Sequence, residues 1–194
     1  MQIPLILASA SPRRERLLAE HAYDFRVVAP RLREPDLEAS GLAPACIAAA
    51  TSYFKARAVG EHCDGDWVLA ADTLACDGTS IIGKPADRDH ARHILNRLAG
   101  TRHAVITGVA LWEPATGRRD LRADCSWVTM RRVSPDELEA YLEGGAWWGK
   151  AGAYGVQDRD DPFVERIEGS YSNVVGLPME LLARMIADFA VRPG

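Results

Sequence analysis

The stretch Ile3-Pro4-Leu5-Ile6-Leu7-Ala8-Ser9-Ala10-Ser11-Pro12-Arg13-Arg14 decides how the remainder of the chain is read. Ile3 to Ala8 is a short apolar run unbroken by charge, which suits a strand buried on both faces. Ser11 then stands where a helix wants its N-cap, and Pro12 fits the first helical position, where its missing N–H costs nothing. Leu17 and Leu18 supply an inward helical face. A strand, a tight turn and a helix are therefore expected in immediate succession. Such a junction exposes unpaired N–H groups at the positive end of the helix dipole, and Arg13 and Arg14 add forked donors that match phosphate oxygens. Taken alone, two arginines in a first turn are ordinary solvated residues. The downstream motifs decide between that and a phosphate site.

Composition narrows the field. The 194 residues suffice for one substantial domain. A content of 47% hydrophobic and 26% charged residues with a net charge of -4 fits a soluble globular protein and excludes general disorder. A mildly acidic chain without a basic block argues against nucleic-acid or membrane-surface partners. Cys46, Cys63, Cys76 and Cys125 lie far apart with no metal-site spacing, which fits reduced thiols in a cytosol. No signal-like start and no apolar window of about 20 residues is present, so a cytoplasmic location is expected.

Along the chain, Asp24 to Val28 alternates like a strand, and Arg31 to Gly41 is a polar connection containing Glu34. From Pro44 to about Val59 the spacing of Ile47, Thr51, Phe54 and Ala58 predicts a helix with those residues inward and Lys55 on the edge of the face. Trp67 to Ala71 reads as a second buried strand stopping at Asp72-Thr73, and ligands favour strand carboxyl ends. Asp77-Gly78 predicts a hairpin joining Leu74–Cys76 to Ser80–Ile82 and delivering Gly83-Lys84-Pro85. Gly78 to Lys84 also spells most of a phosphate-binding loop, but Pro85 stands where a magnesium-holding hydroxyl is required, and that reading is rejected.

Asp87 predicts the cap of a helix with the stripe Ala91, Ile94, Leu95 and Leu98, ended by Gly100. His90 and His93 lie off that stripe and are expected in solvent. His103 to Trp112 and Asp124 to Met130 read as an antiparallel pair around the turn residues 114–119. Ser134-Pro135-Asp136-Glu137 is a capping box opening a helix that stops at Gly144-Gly145. Ala146 to Gln157 reads as a shaped loop near a ligand, with Trp147-Trp148 as interface or core. Val164 to Ile167 is a strand, Gly169 to Gly176 a loop, and Pro178 opens a last helix through Phe189.

The chain resembles the Maf family of nucleoside triphosphate pyrophosphatases over nearly its whole length. The resemblance rests on residues 9–14, Ala71-Asp72-Thr73, Gly83-Lys84-Pro85, Thr107-Gly108-Val109, Lys150-Ala151-Gly152-Ala153-Tyr154-Gly155-Val156-Gln157 and residues 169–178. It implies an α/β fold, a two-lobed mixed sheet flanked by helices and similar to inosine triphosphate pyrophosphatases. Residues 1–194 then form a single domain with two lobes around a central cleft. The implied reaction cleaves a nucleoside triphosphate between its α- and β-phosphates. Arg13, Thr73 and Gln157, together with Lys150, resemble the branch acting on dTTP and UTP, in which Arg13, Thr73 and Gln157 set specificity. Two positions depart from the family's habit, Arg33 and Gly149, each standing where an aspartate is usual, and the stretch Asp158-Arg159-Asp160-Asp161 is unusually acidic.

Phosphoanhydride hydrolysis needs positive charge around the phosphates, a positioned water and a proton acceptor. Ser9, Arg13, Arg14, Lys55, Lys84 and Lys150 are expected to bind substrate, and Asp72 to act as general base. Glu34 and Asp72 are expected to hold a divalent cation, Mg or Mn. A homodimer is implied by the family. The rival readings are a non-catalytic nucleotide-binding regulator of cell division, a nucleic-acid binder using Arg13, Arg14 and exposed tryptophans, and a pyrophosphatase for 7-methyl-GTP or another modified nucleotide.

Overall fold

The computed structural model describes residues 5–32, 37, 40–63, 66–78, 80–156 and 163–191. The opening apolar run becomes β1 (Leu5–Leu7), and α1 (Pro12–Glu20) follows with Pro12 in its first turn. Next come β2 (Phe25–Val27), α2 (Pro44–Gly60) and β3 (Trp67–Asp77), with β1 lying between β2 and β3 and parallel to both. β4 (Ser80–Ile82) turns back antiparallel onto β3, as expected from Asp77-Gly78.

α3 (Arg88–Leu98) leads into the long hairpin of β5 (Arg102–Glu113) and β6 (Arg118–Met130). α4 (Pro135–Glu143), a 3-10 turn at Ala151–Ala153, β7 (Val164–Glu168), α5 (Tyr171–Val175) and α6 (Met179–Val191) complete the order. Among the described residues seven strands form one mixed sheet in the order β2-β1-β3-β5-β6-β7, with β4 attached to β3. Helices flank this sheet, so the fold expected from the resemblance is the one observed. Among the described residues no helix is long and apolar enough to cross a membrane.

The two-residue period of the strands sorts the core by face. Leu5, Leu7, Leu69, Ala71, Val109 and Leu111 pack with Leu17 and Leu18 of α1 and Leu182, Met185 and Phe189 of α6. Their alternates, Ile6, Ala8, Val68, Ala70, Ala110 and Trp112, pack with Ala56 and Val59 of α2. Farther along β3 and β5, Ala75 and Val105 join Ile94, Leu95 and Leu98 of α3 and Leu138 and Leu142 of α4.

Four local expectations are corrected. β3 does not stop at Asp72 but continues to Asp77, because β5 pairs with it from Val68↔Trp112 to Cys76↔Ala104. β6 begins at Arg118, extending the hairpin beyond the expected Asp124. The stretch 169–176 contains α5, whose cap Ser170 accepts from the Asn173 N–H. Finally, α2 is rotated from its expected face. Ile47, Ala48, Thr51, Ser52, Lys55, Ala56, Val59 and Gly60 are inward, while Phe54 is 39% exposed. Gly108 on β5 explains the rotation, since a Cβ there would overlap the backbone of Ala48 and Ala49. The helix lies against the sheet at that point, and small side chains suit the contact better than a phenyl ring.

Candidate active site

β1 and β4 share one edge of β3 without meeting. β1 covers Trp67 to Leu69, with Ala8 N–H donating to Leu69 O, and β4 covers Ala75 to Asp77. Between them, among the described residues, Ala70 to Leu74 has no partner strand on that edge, although β5 holds its other edge throughout. A cleft of about 680 Å³ opens at this gap. Because the gap exposes both sides of the sheet, consecutive residues of opposite orientation can line one cavity. Asp72 looks to the α2 side and Thr73 to the α1 side, and both line it.

On the α2 side, Lys55 Nζ donates to Asp72 Oδ1 at 2.5 Å. Lys55 was expected on the edge of the helix's inward face, within reach of a cleft, and it does line the cleft. It comes from the middle of the buried face rather than its edge, and meets the carboxylate. With Lys55 on Oδ1, Oδ2 is the oxygen that can serve a water, a metal or a substrate.

On the α1 side, Ser11 occupies the N-cap position without making a side-chain cap bond. Ser9 Oγ takes over locally, accepting from Ser11 N at 3.1 Å and Arg14 Nη1 at 3.4 Å. Both contacts use Ser9 as acceptor, so its single proton remains able to donate, as expected for a phosphate contact. Arg14 lines the cleft but is also braced to the protein. Its Nε donates to Gly176 O at 2.8 Å and its Nη2 to Thr73 Oγ1 at 3.2 Å. The neighbouring Arg13 lines the cleft in the same first helical turn.

The far wall comes from the segment after α4. Trp147 is buried and donates from Nε1 to Leu142 O, whereas Trp148 is 67% exposed at the mouth of the cleft, so the tandem tryptophans divide between core and surface. Lys150 follows and lines the cleft, with its side chain drawn over Gly155. A Cβ at Gly155 would lie 2.7 Å from Lys150 Nζ. Gly152 and Ala153 both adopt positive φ, 73° and 62°, and Ala153 is fully buried. For alanine that conformation is strained, which the surrounding packing must hold in place. Lys84, exposed on the loop after β4, completes the basic lining.

The structure thus brings Ser9, Arg13, Arg14, Lys55, Asp72, Thr73, Lys84 and Lys150 to one cleft, although they are scattered from position 9 to position 150 of the sequence. Glu34 and Gln157, the remaining expected site residues, lie outside the described residues, as do Arg33 and the acidic stretch 158–161. His90 and His93 are exposed, as expected for solvated side chains.

Among the described residues there is no group of three or more His, Cys, Asp or Glu able to cage a metal. Magnesium or manganese does not need one. Such ions use one or two carboxylates, substrate phosphates and retained waters, a donor set that Asp72 in a cleft lined by basic side chains fits.

Several lining groups had no role in the sequence reading. Tyr154 lines the cleft, and its hydroxyl lies 2.7 Å from His103 Nε2 on β5. Burial pushes the His103 pKa down to about 4, with Asp77 opposing the shift, so the ring is neutral near pH 7. A single histidine opening an apolar strand was the available signal. Thr107 meets Thr73 from behind and is held in turn by the Asn173 carbonyl, while Gly176 on the cleft wall accepts from Arg14, and only the motif blocks containing them hinted at this.

The sequence matches the family described as Maf-like protein over residues 4–189. It is 42% identical over 193 residues to the dTTP/UTP pyrophosphatase of Salinibacter ruber, covering 98% of this chain and 93% of the relative. It is 41% identical over 194 residues to the dTTP/UTP pyrophosphatase of Rhodospirillum rubrum, covering 98% and 90%. For the dTTP/UTP pyrophosphatase of Dehalococcoides mccartyi the identity is 40% over 190 residues, covering 97% and 84%. The match extends from β1 to α6 and encloses every wall of the cleft, and the chain belongs to the Maf family.

Proposed function

We propose that this chain hydrolyses nucleoside triphosphates between the α- and β-phosphates, releasing a nucleoside monophosphate and pyrophosphate, with dTTP and UTP as its preferred substrates. The observation that carries this reading is the convergence of Arg13, Lys55, Lys84 and Lys150 with Ser9 around Asp72 in one cleft. The relatives named as dTTP/UTP pyrophosphatases support the same reaction.

In this reading Asp72 orients a water and accepts its proton as oxygen attacks the α-phosphorus. The bond from that phosphorus to the bridging oxygen breaks, and pyrophosphate departs with the bridging oxygen. Lys55 fixes the carboxylate, and Arg13, Lys84 and Lys150 offset the charge of the phosphates and of the leaving group. Ser9 donates to a phosphate oxygen, while Arg14 serves both as a phosphate donor and as the brace of Thr73. Asp72, with Glu34, would hold a divalent cation, Mg or Mn, which when bound supplies further charge neutralisation. Arg13, Thr73 and Gln157 read the base.

We further read residues 1–194 as one domain whose two lobes flank the cleft, and the protein as a cytoplasmic homodimer acting on free nucleotides, without nucleic-acid or membrane partners. The unbridged state of all four cysteines suits a reducing compartment. Light scattering on the purified protein tests the dimer.

The decisive experiment is pyrophosphate release from dTTP, UTP, CTP, 7-methyl-GTP and ITP with Mg or Mn, comparing the native chain with Asp72→Asn. Cleavage of dTTP and UTP that Asp72→Asn reduces by about two orders of magnitude or more is expected for loss of a general base. No cleavage of any triphosphate by protein that binds nucleotide would overturn the enzymatic reading.

A further inference from the structure

Behind Thr73 lies a line of polar groups that the proposed hydrolysis does not use. Thr107 stands directly across from Thr73 on β5 and is fully buried. Its Oγ1 lies 3.0 Å from the backbone carbonyl of Asn173 on α5, and 3.0 Å from Thr73 Oγ1.

A threonine hydroxyl carries one proton. The Asn173 carbonyl can only accept, so the Thr107 proton goes there. The contact between the two hydroxyls must then use the proton of Thr73. Arg14 Nη2, 3.2 Å from Thr73 Oγ1, can only donate, which is consistent with Thr73 pointing its proton inward. Any further partner that approaches Thr73 Oγ1 from the cleft must therefore bring a hydrogen of its own.

The far end of this line is held firmly. Asn173 is fully buried, its Nδ2 donates to Val105 O at 2.9 Å and Ser126 Oγ at 3.0 Å, and its backbone N–H donates to Ser170 Oγ at 3.1 Å. The carbonyl that receives the Thr107 proton is thus fixed by α5 and by two strands.

We propose that Thr107 is a positioning residue that sets the direction of the Thr73 hydroxyl, so that the cleft offers an acceptor to the base and selects nucleotides with a ring N–H at that point. The inference rests on Thr73 being a base-reading residue, as in the function proposed above, and adds the chemical sign of what it reads. Uracil and thymine present N3–H; cytosine presents a bare N3 lone pair at the same position. To bind cytosine through Thr73, the hydroxyl would have to turn its proton into the cleft and leave Thr107 Oγ1 without its donor in a dry interior.

Two measurements test this. In the native protein, 3-methyluridine triphosphate, which lacks N3–H, should have a kcat/KM at least about tenfold below that of UTP. In Thr107→Val, of similar shape but without the hydroxyl, the UTP-over-CTP ratio of kcat/KM should fall about tenfold, and Thr107→Ser should restore it. Equal losses on UTP and CTP would mean that Thr107 only supports the fold, and equal use of UTP and its 3-methyl form would overturn the acceptor itself, which needs no variant to fold. Failure of the native chain to cleave any triphosphate would instead sink the underlying function, an outcome distinct from both.

Discussion

Lys55 Nζ lies 2.5 Å from Asp72 Oδ1, and the two side chains keep only 9% and 13% of their surface in solvent. The lysine is supplied by the inward face of α2 and the aspartate by the strand that this face covers. An ion pair so enclosed is costly to break from one side, because the surviving charge remains in the interior. The position of the proposed base is therefore tied to how α2 packs.

Lys55→Met should destabilise the fold by about 3 kcal/mol in urea titrations, since it strands the Asp72 carboxylate. Adding Asp72→Leu should recover most of that loss without restoring hydrolysis. A single substitution as stable as the native chain would show that water compensates the aspartate.

Gly108→Ala should be among the most damaging methyl additions in the molecule. The new Cβ meets backbone atoms of Ala48 and Ala49, which cannot rotate aside, so α2 must move and carry Lys55 with it. A loss of about 2–3 kcal/mol, with activity falling further than stability, is expected. Gly83→Ala, where nothing lies within 4 Å and φ is ordinary, is the matched control and should leave the melting temperature unchanged.

Gly155→Ala isolates the role of Lys150. The added methyl would lie 2.7 Å from the end of a flexible lysine, which can swing away while the fold persists. An unchanged melting temperature with a KM raised about tenfold, matching Lys150→Met, is expected if that ammonium holds phosphate. An unchanged KM would remove Lys150 from the binding set.

His103 gives a pH dependence whose sign follows from burial. Its folded-state pKa is lowered from 6.5 to about 4, so below pH 6.5 the unfolded chain takes up a proton that the folded one refuses. Stability should thus be intact above pH 6.5 and fall by up to about 1.4 kcal/mol per pH unit on the way to pH 4. Urea titrations of the native chain and of His103→Gln between pH 7 and pH 4.5 measure this, and the variant should show the shallower decline.

What could be read from the sequence depended on whether a signal was local. The capping box at Ser134 and Glu137 and the Asp87 cap are decided within one helical turn, and both occur as expected. The face of α2 was not legible. Ile47, Thr51, Phe54 and Ala58 keep a good helical period, yet the helix turned Phe54 outward because a glycine 54 positions later admits its backbone to the sheet. The end of β3 was misread for a similar reason. Asp72 and Thr73 look like a strand terminus, but pairing with β5, more than 30 residues away, carries the strand through them. Motif residues, Thr107 among them, could be placed in one site by resemblance, whereas His103, which meets the cleft-lining Tyr154 from behind, carries no pattern of its own.

The gap between β1 and β4 gives the molecule a division of labour. Lys55 and Asp72 work on one surface of the sheet, while Thr73, Thr107 and Arg14 meet on the other, and a single peptide bond joins the two parties. Changes in α1 or α5 can therefore alter the Thr73 side of the cleft without disturbing the proposed catalytic carboxylate beneath α2. An insertion or deletion of one residue in β3 would instead exchange the two assignments, placing a hydroxyl against Lys55 and a carboxylate against Arg14. Family members should thus vary freely around this strand while keeping its length.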